Sequence, residues 1–234
     1  MNSGYCISPI ATISTPFKQK FAIPRQPNLA DAKGKITLAN DFDDPRSFKG
    51  LENYSHLWLL FIFHETAARG WKPAVKAPRL GGNATLGVFA SRSTHRPNSI
   101  GMSVVKNRGV SQSDGHLQLH VSGVDLLDGT PIIDIKPYIR YADSIDGARD
   151  NLDAYAPIPR RPVCFCPTAR DQLIPVMKKH PDAADLIEAV LHQDPRPAYR
   201  QSTENDDKIY KVKLYDFDVS WQVKNGQIEV LSLL

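Results

Sequence analysis

Leu57-Trp58-Leu59-Leu60-Phe61-Ile62-Phe63 is the longest strongly apolar run in the chain. A membrane span needs about 20 such residues, so this run is far too short for one. Its length and its β-branched and aromatic content fit a buried strand. Outward from it the same kind of element repeats. Leu86-Gly87-Val88-Phe89-Ala90, Ile100 to Lys106, and Ile132-Ile133-Asp134-Ile135 follow it. Ile36-Thr37-Leu38-Ala39 precedes it, and Tyr5-Cys6-Ile7 to Ile13 shows short apolar alternation. His116-Leu117-Gln118-Leu119-His120-Val121-Ser122 alternates polar and apolar with the period of a half-buried strand. Many short strands with Gly, Pro and Asn turns between them predict a mainly β protein, with a small single-sheet barrel over residues 1–145.

The character changes after residue 145. Residues 143–162 are polar, with three prolines and no sustained period, and read as a linker. Asp171 to His180 is a short helix despite Pro175. Asp182 to Gln193 is a better one, with Asp182 as cap and Leu186, Ile187, Val190 and Leu191 as its stripe. Strands are predicted at Tyr210 to Val219 and Ile228 to Leu233. Residues 146–234 thus read as a smaller α/β domain.

The chain has 234 residues, 41% hydrophobic and 23% charged, a composition able to bury a core. Its net charge of +4 is unevenly spread. Residues 1–110 carry 15 Lys/Arg against 6 Asp/Glu, and residues 111–234 carry 14 against 19. A basic front half suits a polyanionic partner, nucleic acid being the commonest, although a solvated face gives the same tally. Met1-Asn2-Ser3-Gly4-Tyr5 has no basic start followed by an apolar run, and the three cysteines are odd in number. Both features lead us to expect a reducing cytoplasm. Cys164 and Cys166 form a pair, yet no second Cys/His cluster completes four zinc ligands, so no metal is expected. His116 and His120 would stand about 13 Å apart on one strand face, too far to grip one ion.

Nucleotide fingerprints are missing. There is no G-x-G-x-x-G, and Gly82 and Gly87 have P-loop spacing without the following Lys-Ser/Thr. No G-x-S-x-G elbow is present either. Four stretches are nevertheless dense in functional side chains. Pro16 to Pro27 is stiffened by prolines and carries Pro24-Arg25-Gln26. His64-Glu65 stands at the mouth of the central strand, ahead of Pro78-Arg79-Leu80-Gly81-Gly82-Asn83. Residues 91–101 hold Arg92, His95, Arg96 and Asn98 among hydroxyls between two strands. Such a loop can satisfy phosphate, carboxylate or ribose groups. Asp125-Leu126-Leu127-Asp128-Gly129-Thr130 is a turn leading into Asp134-Ile135-Lys136-Pro137-Tyr138, where a carboxylate neighbours a lysine. Each stretch has a plain structural alternative: a rigid surface loop, a satisfied strand-end histidine, a hairpin turn or an ion pair.

Taken together, "PFKQKFAIPRQP", "GLENYSHLWLLFIFHE", "PRLGGN", "GVFASRSTHRPNSIGMS" and "DLLDGTPIIDIKPY" resemble the TrmO family, also known by its TsaA-like domain. "LHQDPRPAYR" and "LYDFDVSW" are similar to the C-terminal extension of its bacterial members. The resemblance runs from Tyr5 to about Trp221. It implies a homodimer whose fold is a small β-barrel with a short C-terminal domain. It also implies S-adenosylmethionine bound outside any Rossmann frame. The implied reaction is methylation at N6 of N6-threonylcarbamoyladenosine, at position 37 in the anticodon loop of tRNA.

Carried over by motif, Pro24, Arg25, Gln26, His64, Glu65, Arg92, Met102, Ser103 and the turn Asp125, Leu126, Leu127, Asp128, Gly129 and Thr130 are implied to line the cofactor site. Asp134, Lys136 and Tyr138 match "DIKPY" and are expected to face the substrate base. Asp134 and His64 are then the options for a general base, and Lys18, Lys20, Arg69, Lys72, Lys76 and Arg96 for phosphate contacts. A cofactor sensor without catalysis, and an RNA-binding barrel without cofactor, are the alternatives.

Overall fold

The computed structural model describes residues 4–76, 85–150 and 160–234. Its first unit is a ring of six antiparallel strands. These are β1 (Ala11–Ser14), β2 (Lys33–Leu38), β3 (His56–Ile62), β6 (Ile100–Ser113), β7 (His116–Ser122) and β8 (Thr130–Pro137). They pair in the order β1-β2-β7-β6-β3-β8, and β1 also pairs with β8, so the sheet closes as a barrel.

Alternation sends every second side chain inside. Leu57, Leu59 and Phe61 of β3 are buried, facing Ile13, Ile36, Val105, Leu119, Val121 and Ile132 from the other strands. Trp58, Leu60 and Ile62 point outward and are only half-buried. The central run is therefore apolar on both faces but covered on one. Its strand ends at Ile62, and His64–Ala67 starts a helical turn, α1.

Gly101 lets β6 approach β3. A Cβ there would lie 2.4 Å from Phe61 Cε2 and 2.8 Å from Phe63 Cζ. The short strands β4 (Ala74–Lys76) and β5 (Thr85–Gly87) form a separate hairpin ladder. Val88–Ala90, expected to continue a strand, is a 3-10 turn instead. "PRLGGN", including Gly82, lies outside the described residues, as do residues 151–159 of the expected linker.

The second unit is a four-stranded sheet in the order β10-β11-β12-β9. Its strands are β9 (Val163–Phe165), β10 (Asp206–Leu214), β11 (Phe217–Lys224) and β12 (Gln227–Leu233). After the short α2 (Arg140–Asp143), helices α3 (Pro167–Lys179) and α4 (Ala183–His192) pack nearby, with Leu186, Ile187, Val190 and Leu191 buried. Two details differ from expectation. Asp182 precedes α4, yet its carboxylate makes no cap; it accepts from the Tyr215 hydroxyl at 3.0 Å and pairs with Lys33 at 3.2 Å. The single strand expected at 210–219 is broken by Tyr215, which adopts a left-handed φ of 52°. Its N–H donates to Pro16 O at 2.8 Å, and Phe17 bridges to Leu214, so contacts with the barrel supply what the turn's sequence lacks.

The "DPR" of the second unit is an ion cluster. The Arg196 side chain is fully buried and grips Asp194 through two bonds of 2.7 Å. It reaches Asp206 at 3.2 Å, while Arg161 adds a bond to Asp194 and Tyr210 one to Asp206. No described helix is long and apolar enough to cross a membrane.

Candidate active site

Four segments far apart in sequence converge at one end of the barrel. β3 delivers Phe61, Phe63 and then His64 and Glu65. Phe61 and Phe63 meet edge to face, with centroids 5.1 Å apart. Together with Ile23, Pro24, Leu126, Leu127, Thr130 and Asp125 they wall a hollow of about 250 Å³. Of the expected cofactor residues, Pro24, His64, Glu65, Asp125, Leu126, Leu127 and Thr130 line it.

The turn from Asp125 to Thr130 is stapled to β1. Asp128 Oδ1 accepts from Thr15 N at 2.8 Å, the Thr15 hydroxyl donates to Leu126 O at 2.9 Å, and Gly129 N donates to Ile13 O at 2.9 Å. Gly129 holds a φ of 76°, which glycine adopts without strain. The turn thus holds Asp125 at the wall of the hollow.

Asp125 is the most perturbed acid there. Burial pushes its carboxyl up to about 6, against the opposing pull of a hydrogen bond from Ser103 and the charge of Arg92. Ser103 Oγ donates to Asp125 Oδ1 at 2.6 Å and is itself buried. Ser103 therefore reaches the site through Asp125 rather than by lining the hollow. Arg92 is joined to Gln26 by a 2.7 Å hydrogen bond across 66 residues of sequence, so two expected site residues meet beside the cavity. Arg25, next to Gln26 in sequence, is exposed. His64 Nε2 stands 3.8 Å from Glu65 Oε1.

A second, more open hollow of about 470 Å³ shares Lys20, His64, Glu65 and Leu127 with the first. Lys18, Gln19, Arg69 and Asp128 complete its polar wall. Arg96, expected to meet phosphate, donates to Val88 O and Ser91 O and folds its own loop instead.

Asp134, Lys136, Tyr138 and Met102 line neither hollow. Asp134 pairs with Lys136 at 2.9 Å and sits opposite Leu60; Lys136 sits opposite Trp58. These are outward positions. Lys136 lies four residues along β3 from Ile62 at the rim, about 13 Å at strand rise. Met102, opposite Leu60 on the other side, is half exposed. One chain thus presents two surfaces: the hollows at the barrel end, whose wall includes Ile62, and an outer face of Trp58, Leu60, Met102 and Tyr138 around the Asp134–Lys136 pair.

Could the first hollow hold the expected cofactor? Its walls are largely apolar and aromatic, with Lys20, His64 and Glu65 at one side and a partly buried carboxylate, Asp125, with a tethered arginine beyond. That donor set suits a cation bearing an apolar body and an acidic tail, so the residues present fit. A closed barrel with a hollow at one end and no Rossmann element is the frame in which these residues stand. The chain belongs to the tRNA-methyltransferase O family: the model of its N-terminal domain matches residues 12–144, and that of the TrmO C-terminal domain matches residues 159–234.

The relatives agree. The chain is 44% identical to the tRNA (adenine(37)-N6)-methyltransferase of Escherichia coli (strain K12), covering 99% of this chain and 98% of that protein. A probable S-adenosyl-L-methionine-binding protein of Pyrococcus abyssi is 35% identical over 62% of this chain and 73% of its own length. A crystal structure of TrmO from Pseudomonas aeruginosa superposes with a TM-score of 0.81 at 42% identity, covering all of this chain and 98% of that one.

Proposed function

We propose that this chain is an S-adenosylmethionine-dependent methyltransferase acting on N6 of adenosine 37 in tRNA, and that the adenosine carries a threonylcarbamoyl group. The observation that carries the proposal is the convergence of Pro24, His64, Glu65 and the Asp125–Thr130 turn on one hollow with apolar walls and a carboxylate. S-adenosylmethionine supplies a methyl group on a positively charged sulfur. Asp125 offers negative charge to that cation, and Arg92, oriented by Gln26, or Arg25 offers a guanidinium to its carboxylate.

The acceptor nitrogen is part of a urea-like group, so its lone pair is delocalised and its proton must leave. In this reading His64 takes that proton, a role supported by its position in the wall shared by the two hollows. Holding the acceptor in line supplies a further share of the rate.

Asp134, Lys136 and Tyr138 belong to the outer barrel face. We infer that a second copy of the chain packs on this face as a homodimer, so that the three residues and Met102 serve the partner's hollow. The half-exposed apolar surface of Trp58, Leu60 and Ile62 supports this. The proposal includes a division into a catalytic barrel over 1–145 and a smaller domain over 146–234, and a cytoplasmic setting. Incubation with methyl-labelled cofactor and tRNA, with and without the threonylcarbamoyl group, tests the reaction. Label in the modified tRNA alone is expected. Binding of cofactor with no transfer would make the chain a sensor and overturn the proposal.

A further inference from the structure

The second hollow has a use that methyl transfer alone does not explain. Five of its lining residues carry basic or acidic side chains: Lys18, Lys20 and Arg69 against Glu65 and Asp128. The two carboxylates already have cations. Lys18 Nζ lies 2.6 Å from Asp128 Oδ2, and Lys20 Nζ lies 3.9 Å from Glu65 Oε2. The Arg69 side chain has no polar partner among the described residues, and it is exposed just after α1. A guanidinium without a carboxylate, beside two lysines, is a fork for a planar oxyanion.

Position decides which oxyanion. This hollow shares Lys20, His64, Glu65 and Leu127 with the apolar one. A group held here is therefore next to whatever reacts there. The threonyl carboxylate of the proposed substrate is only a few bonds from the acceptor nitrogen.

We propose that Arg69, with Lys18 and Lys20, forms an anion subsite that receives the amino-acid carboxylate borne by the target base and so selects the amino-acid-modified adenosine over the plain one. This rests on the substrate reading given above. Arg69 is then a specificity-determining residue. It fixes the side group so that the nitrogen is presented to the apolar hollow.

The test uses two anticodon stem-loops, one carrying threonylcarbamoyladenosine and one carrying its neutral methyl ester. Binding and single-turnover methylation are measured for the wild type, Arg69→Gln and Arg69→Lys. Arg69 is exposed and leaves no carboxylate unpaired when removed, so both variants should fold. The wild type is expected to prefer the acid by about tenfold, the scale of one charge-assisted hydrogen bond. Arg69→Gln should abolish that preference, and Arg69→Lys should restore part of it. An equal loss on both stem-loops would place a backbone phosphate in the hollow and overturn the proposal. So would a loss of S-adenosylmethionine affinity, which would assign the hollow to the cofactor's own carboxylate, or no change at all. A wild type that methylates neither stem-loop would refute the proposed reaction rather than this subsite.

Discussion

At the scale of single residues, Asp125 carries the clearest signature. Its folded pKa of about 6 lies above the ordinary carboxylate value, because burial disfavours the charge. The unfolded chain therefore loses this proton first as pH rises. The acid costs no stability below about pH 4, and the cost is complete above about pH 6. Asp125→Asn should raise the melting temperature at pH 7.5 and leave it nearly unchanged at pH 4, as thermal unfolding at the two pH values will show. The same charge is needed opposite a sulfonium. Calorimetric titration should accordingly find cofactor affinity falling in the wild type as pH drops through about 6, and a flat profile in Asp125→Asn. Asp125 was legible in the sequence as part of a turn, but not as the perturbed acid. That property comes from burial, which only the fold creates, and which outweighs the opposing pull of Ser103 and Arg92, 22 and 33 positions away along the chain. The Arg92–Gln26 bond was hidden for the same reason, although both residues stood out by type.

At the scale of elements, the strands were legible wherever apolar alternation was strong. β3, β7 and α4 fall within a residue or two of their expected bounds. Failures came where tertiary contacts set the backbone. Tyr215 turns between β10 and β11 with neither Gly nor Pro, held by Pro16 and Asp182. β9 is three residues long and exists because it pairs in parallel with β12. Two substitutions test the packing. Gly101→Ala would force a methyl into Phe61 and should cost about 1–3 kcal/mol in chemical denaturation, with loss of activity as Phe61 shifts at the hollow. Arg196→Ala would leave Asp194 and Asp206 buried without their shared cation. It should cost about 3–5 kcal/mol, visible as early melting of the second sheet while the barrel's hydrogen exchange stays protected.

At the scale of the whole molecule, two surfaces call for partners. The basic front half should make tRNA binding fall steeply with salt, and a flat response of log Kd against log salt would contradict a phosphate-contacting face. The outer barrel face places Asp134 and Lys136 away from their own chain's hollows, and in the proposed dimer they serve the partner's substrate. The measurement that tests the central claim most directly is mass spectrometry of tRNA nucleosides from a strain lacking this gene, with and without the gene restored. The account predicts that N6-methylated threonylcarbamoyladenosine disappears on deletion, that the unmethylated nucleoside accumulates, and that restoration reverses both. An unchanged level of the methylated nucleoside in the deletion strain would contradict it.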